Sequence, residues 1–336
     1  MDAGLVLVVT LAVAFAVTNG LHDAANSIAA LVATRTATPR QAIVLASVFN
    51  LLGPLLLGAA VANTIGGIVV VPPAAANQVI GSGLAAAVGF NVITWRLGLP
   101  SSSGQALVGG LVGAALAEGG VAAVNWGGWH GGRPSGVIGT LVSLLISPPL
   151  GALAALLMIR AIRRAGRRAT RRWAAPVAGG QWVTAAALAF SHGANDAQKA
   201  VGVIAAVLLA DGKIATLQAP TWVIVVCSVA LTAGTALGGW RIIRTVGRRI
   251  YRIAPVEGLS STAASAAVIF AASVIGAPTS TAQVVSSSIV GVGGGRRRWH
   301  HVHWGVVRRI GSAWLTTLPA TAAIAAVTFT LWGTLT

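Results

Sequence analysis

At 336 residues the chain is 55% hydrophobic and 9% charged, with a mean hydropathy of +0.81. A soluble globular domain carries roughly 25% charged residues, so a water-soluble fold is excluded and an integral membrane protein is expected. The net charge of +17 does not point to nucleic acid, because the arginines crowd into short segments between apolar runs, as cytoplasmic loops of membrane proteins do, and no aromatic-studded basic domain accompanies them.

The apolar runs are about 20 residues or longer and lack the alternation of barrel strands, so an all-α membrane protein with about eight to ten crossings is expected. The first run, Gly4 to about Thr34, is interrupted at Asn19 to Asn26 (NGLHDAAN) and reads as two helical pieces meeting at depth, with Gly20 as the tolerant backbone position. Nothing after it resembles a cleavage site, so a retained helix is expected rather than a signal peptide. Further segments cover roughly residues 41–63, 77–95, 101–117 and 137–158, the fourth entered through Pro100-Ser-Ser-Ser-Gly-Gln105. A connector follows, with seven arginines between Arg160 and Arg172.

Beyond the connector the pattern returns. A broken segment spans residues 181–210 and carries SHGANDAQK from Ser191 to Lys199; segments at about 219–240, 259–275 and 306–331 follow, with a shorter one after Pro278-Thr-Ser-Thr-Ala-Gln283. Two motifs thus recur in the same order, at offsets of 173 and 178 residues, which divides the chain into a first repeat (1–159), a basic cytoplasmic connector (160–178) and a second repeat (179–336). The lone Cys227 excludes an intrachain disulfide framework or a cysteine-based metal site.

Charge orients the repeats. The loop after the first segment holds Arg35 and Arg40 in the first half but Asp211 and Lys213 in the second. The next loop is uncharged in the first half but holds Arg241, Arg244, Arg248, Arg249 and Arg252 in the second. Equivalent loops therefore face opposite sides, the pattern of inverted repeats with five segments each. With the arginine-rich loops cytoplasmic, both termini lie outside. The two proline motifs break any continuous helix and are expected at the tips of re-entrant hairpins, where protein or water satisfies the backbone.

Of six carboxylates, only Asp23 and Asp196 lie deep in apolar runs, at equivalent positions. A buried Asp or Lys costs roughly 2.5 to 3.5 kcal/mol on insertion scales, which favours a function for Asp23, Asp196 and Lys199. Spacing of three allows Asp196 and Lys199 to pair on one helical face; Asp23 has only Asn26 there and suits a cation or a proton. Asn19, Asn26 and Asn195 offer amide groups for a hard cation, including sodium at Asp23, Asn26, Asn195 and Asp196, or for an oxyanion. His22 and His192 flank the aspartates and suit orienting them or moving a proton. Ser101, Ser102 and Ser103, with Thr279, Ser280 and Thr281, follow the two prolines at helix starts, where hydroxyls and unpaired N–H groups form an anion site. Gln105 and Gln283 close these motifs with further amide donors.

NGLHDAAN, SHGANDAQKA and the two Pro-Ser/Thr motifs together resemble the inorganic phosphate transporter (PiT) family, particularly its bacterial low-affinity branch, over nearly the whole chain. The resemblance implies secondary active transport of inorganic phosphate across the cell membrane by symport with a cation, and no enzymatic activity or cofactor. By that likeness Asp23, Asn26, Asn195 and Asp196 fall on positions for cation and phosphate handling and the Ser/Thr motifs on phosphate-binding hairpin tips. Family members commonly close the proline motif with histidine; here Gln105 and Gln283 stand instead. His22 and Lys199 look like the proton-linked branch, so protons are favoured over sodium, and the cargo is either free phosphate or a neutral metal-phosphate complex. Sulfate, another tetrahedral oxyanion, is the alternative cargo. An intramembrane enzyme using Asp23, Asp196 and His22 as acid and base is the reading from another class, disfavoured because acid-base chemistry has no need of opposed copies. The expected partners are phosphate, the coupling cation and the lipid bilayer; the sequence allows a homo-oligomer without requiring one.

Overall fold

The computed structural model describes residues 3–130, 133–166, 173–238, 250, 253–295 and 299–335. Eleven α-helices are named here: α1 (Ala3–Ala33), α2 (Pro39–Leu57), α3 (Ala60–Gly66), α4 (Pro73–Leu97), α5 (Ser103–Gly119), α6 (Gly136–Ala165), α7 (Ala174–Ala210), α8 (Thr221–Leu237), α9 (Pro255–Val274), α10 (Thr281–Gly295) and α11 (Trp304–Leu335). Among the described residues the fold is all-α apart from one isolated bridge, Val69 to Val124, and two paired three-residue strands, β1 (Gly128–His130) and β2 (Arg133–Ser135), in the glycine-rich loop before α6. The basic connector lies partly, and the arginine loops at 241–249 and 296–298 wholly, outside the described residues.

Among the described residues, seven helices are long and apolar enough to cross a membrane: α1, α2, α4, α5 with the turn that follows it, α6, α9 and α11. Outward-facing leucines and valines, such as Leu315 at 79% and Val183 at 69% exposure, are what a lipid-facing surface requires. The number falls below the expected eight to ten because α8 has only 17 residues and α7 dilutes its apolar run with His192, Asn195, Asp196, Gln198 and Lys199.

The expected breaks within the first and seventh helices are absent. Helix α1 runs unbroken through Asn19 to Asn26, and α7 through Ser191 to Lys199. The glycines of these motifs serve packing, not backbone freedom. A Cβ on Gly20 would stand 2.0 Å from the Leu231 carbonyl oxygen on α8, and one on Gly193 would stand 2.2 Å from that of Asn50 on α2. The partner helices answer in kind: Gly53 on α2 faces the Phe190 carbonyl, and Gly234 on α8 faces that of Val17. Each contact in one half therefore has its counterpart in the other. Gly193→Ala should drive α2 and α7 apart and cost about 1 to 3 kcal/mol, the range for overpacking a tight contact, read as a lower midpoint of thermal unfolding in detergent.

The real interruptions fall at the proline motifs. Helices α4 and α5 pack together as a hairpin, as do α9 and α10, and the linking residues Ser101 to Ser103 and Thr279 to Thr281 are at most 2% exposed. Each hairpin is covered by the closing helix of the other half: α11 lies on α5 and α6 on α10. Close approach again depends on glycine, with Gly113 against Ala322 and Gly291 against Ala152.

Among the described residues three apolar clusters form the core, the smallest made by Ala155 and Ile159 of α6, Ala264 of α9 and Val292 of α10; the two larger ones both involve α1 and α7. The first takes Leu5 to Ala16 of α1 and Ala200 to Leu208 of α7; the second takes Ala25 to Leu31 of α1 and Ala185 to Ala189 of α7. The order along α7 reverses that along α1, so the two helices pass each other in opposite directions. The stretches omitted from both clusters, around Asp23 and Asp196, form a polar layer between them.

Candidate functional site

That layer brings the two aspartates together. One ligand atom each from Asp23, His192 and Asp196 lie within 4.8 Å of one another, all in buried side chains. No carboxylate pair can stand so close without compensating groups, and the two halves compensate differently.

Around Asp196 nearly every valence is used. The Lys199 ammonium binds its Oδ1 and also donates to the Thr279 carbonyl oxygen at 2.8 Å. The Thr281 hydroxyl donates to Oδ2 at 3.0 Å, and Asn26 Nδ2 donates in turn to Thr281 Oγ1 at 3.3 Å. His192 Nε2 lies 2.9 Å from Oδ2, too oblique for a good hydrogen bond, while its Nδ1 meets Asn50 Oδ1 at 3.0 Å. The expected pairing of Asp196 with Lys199 on one helical face is thus present.

Asp23 is sparsely held. Its one hydrogen-bond partner among the described residues is His22 Nδ1, at 3.2 Å. The other ring nitrogen of His22 faces Ser101 Oγ at 3.1 Å and Thr94 Oγ1 at 3.2 Å, so this histidine ties Asp23 to the first hairpin tip. Asn195 ties down the second tip: its Oδ1 accepts from Thr279 N–H at 3.2 Å and its Nδ2 donates to Ser273 Oγ and the Ala277 carbonyl. His22 and Asn195 occupy equivalent places in the two motifs and do equivalent work.

The middle residues of the hydroxyl clusters are N-caps. Ser102 Oγ accepts from Gln105 N–H at 3.2 Å and Ser280 Oγ from Gln283 N–H at 3.4 Å, so both glutamines enter the caps through their backbones. The hydroxyls of Ser103 and Thr279, Asn26 Oδ1 and Gln105 Oε1 are buried with no hydrogen-bond partner among the described residues. A buried polar atom left unpaired costs about 1 to 3 kcal/mol, and this concentration of them at two helix starts fits a ligand position. Those starts place partial positive charge beside the aspartates, with a Cβ on Gly104 of α5 only 3.2 Å from Lys199 Nζ. Such a set can hold an oxyanion and a cation side by side.

Asn19 does not join the network. Fully buried, it has no partner for either amide atom among the described residues, and its counterpart in the second motif is His192. His192 finds Asn50, whereas at the equivalent glycine contact of the first motif, Gly20 against α8, Leu231 stands in the place of Asn50. Sequence reasoning overlooked Asn50, Thr94 and Ser273, each an uncharged polar residue within a mainly apolar segment. It also overlooked Gln198, whose Oε1 accepts from Val61 and Ala62 N–H at 2.8 and 3.3 Å and so anchors the start of α3.

Several comparisons bear on this centre. A protein from Rhizobium meliloti (strain 1021), named "Probable low-affinity inorganic phosphate transporter", is 38% identical over 332 residues, 97% of this chain and 95% of its own. A protein of the same name from Bacillus subtilis (strain 168) is 39% identical over 331 residues, 96% of each chain. A solved structure titled "The sodium-dependent phosphate transporter" superimposes over the whole of both chains with a TM-score of 0.89 at 24% identity, which establishes the fold. The model described as "Phosphate transporter family" matches residues 19–179 and 167–325, so the two aspartate motifs and both hairpin tips lie within it and the chain belongs to that family of membrane transporters.

Proposed function

We propose that the chain carries inorganic phosphate together with a cation across the membrane, by alternating access around the centre formed by Asp23 and Asp196. The observation that carries this reading is the convergence of two buried carboxylates, one buried ammonium and two hydroxyl-bearing helix starts on one enclosed point. The names of the relatives support phosphate as cargo. In this reading the starts of α5 and α10, with Ser101, Ser103, Thr279 and Thr281, receive the phosphate oxygens, and Asp23 with Asn26 receives the cation.

The halves 1–159 and 179–336 are read as inverted repeats, with both termini outside. The opposed course of α1 and α7 and the exchanged glycine contacts support it. Such a relation lets one set of contacts close either side of a central site in turn. For the coupling ion we favour the proton, because the His22 imidazole lies directly on Asp23. Sodium is the second reading, favoured by the unpaired Asn26 Oδ1.

Uptake of labelled phosphate into proteoliposomes, with imposed proton or sodium gradients and sulfate as competitor, tests all of this together. Expected is phosphate accumulation driven by one of the two gradients and little affected by equimolar sulfate. Equal competition by sulfate would reassign the cargo, and absence of uptake under either gradient would remove the transport reading.

A further inference from the structure

The two aspartate motifs share their glycine, their aspartate and the alanine after it, and differ in charge three residues beyond the aspartate. Asn26 in the first stands where Lys199 stands in the second. The ammonium of Lys199 takes a carboxylate oxygen of Asp196 and the backbone carbonyl of Thr279, while Thr281 holds the other carboxylate oxygen. A carboxylate, a main-chain carbonyl and a neighbouring hydroxyl are the oxygen ligands that a small hard cation takes from a protein. In the first half the corresponding carboxylate, amide oxygen and hydroxyl are less occupied among the described residues. Asp23 has only the His22 contact, Asn26 Oδ1 is unpaired at 3% exposure, and the Ser103 hydroxyl, counterpart of Thr281, is unpaired at 2% exposure.

We propose that Lys199 is a tethered cation, built into the second half at the position where the first half takes an exchangeable one, so the carrier has a single mobile cation position, at Asp23 and Asn26. The inference rests on the transport reading and specifies its coupling. Charge supports it. Asp23 and Asp196 with Lys199 leave one formal negative charge in the buried centre, which a single monovalent cation neutralises. A second mobile cation beside Asp196 would have to displace an ammonium that is 1% exposed, bound to Asp196 and the Thr279 carbonyl, and so close to the start of α5 that a Cβ on Gly104 would meet Nζ at 3.2 Å. The tethered charge also remains with the protein when the cargo leaves, so it contributes to holding the anion in both directions of transport while contributing nothing to the driving force.

The test compares wild type with Lys199→Asn, which gives both motifs the same Asp-x-x-Asn ligand set, and with the mirror change Asn26→Lys. The readout is the number of cations moved per phosphate, from the opposing cation gradient at which net phosphate flux reverses in proteoliposomes under a known phosphate gradient and a clamped voltage. Lys199→Asn should raise that number by one, and the Hill coefficient for the driving cation should rise from about 1 to about 2, since it is bounded by the number of mobile sites. Asn26→Lys should abolish gradient-driven accumulation while phosphate-for-phosphate exchange persists. An unchanged cation number in a transporting Lys199→Asn protein overturns the proposal, as does wild-type coupling in Asn26→Lys. If Lys199→Asn is unstable, its melting midpoint in sodium chloride against choline chloride, set beside that of the wild type, decides: a larger stabilisation by sodium than the wild type shows supports a vacated second cation position, and a salt difference no larger than the wild type's overturns it. Wild-type vesicles that move no phosphate would instead remove the transport reading on which the inference stands.

Discussion

Asp23→Asn should reduce concentrative phosphate uptake by about hundredfold or more while leaving the protein folded, the hundredfold corresponding to roughly 3 kcal/mol of lost charge-assisted binding. The substitution keeps the shape of the side chain and removes its charge. The fold tolerates it because Asp23 is held by a single hydrogen-bond partner among the described residues, His22 Nδ1, which an asparagine oxygen also satisfies. Transport does not tolerate it, because the other carboxylate of the polar layer is not free to receive a cation: Asp196 is committed to Lys199 and Thr281. Labelled uptake in proteoliposomes, alongside a melting curve within a few degrees of wild type, checks both halves of the expectation. Accumulation at the wild-type level would remove Asp23 from the coupling site.

Asp196→Asn should look different despite the equivalence of the two positions in sequence. It strips the counter-charge from Lys199, which is 1% exposed and keeps only neutral acceptors, an asparagine oxygen and the Thr279 carbonyl. Breaking a buried ion pair by removing one partner costs about 3 to 5 kcal/mol, a large share of the roughly 5 to 15 kcal/mol by which a folded protein is stable. The expected result is a protein recovered in low yield with a sharply lowered melting midpoint, in addition to lost uptake. Removing both charges, as Asp196→Asn with Lys199→Asn, should restore at least half of the lost stability without restoring uptake. If the single variant melts like wild type, the pair is not the support it is described as here.

The opposed consequences of these two changes mark the boundary of what the sequence made legible. Composition and run length specified a helical membrane protein, because the cost of burying backbone polar groups in lipid leaves few choices. Asp23, Asp196 and Lys199 stood out for the same energetic reason, as did the doubled proline motifs. The continuity of α1 and α7 was not legible. Asn, Gly and Asp within an apolar run signal a break when the polar groups must be satisfied along the same chain, but here they are satisfied sideways, by Thr281 and by the tip residues around Thr279. Nor could sequence assign Gly20 and Gly193 to close helix contact, since a glycine that frees the backbone and one that admits a neighbour are the same letter. The partners Asn50, Thr94 and Ser273 belong to other helices, and only folding brings them within reach of His192, His22 and Asn195.

The exchange of covers between the halves has a bearing on how the molecule is made. During synthesis α5 is complete long before α11 exists, and until α11 arrives the face carrying Gly109 and Gly113 meets neither Leu318 nor Ala322. The ribosome must therefore release almost the entire polypeptide before the first hairpin acquires its permanent neighbour. A nascent chain truncated just ahead of Trp304 carries every residue of the polar centre and still leaves the Gly109 and Gly113 face of α5 without the helix that fills it.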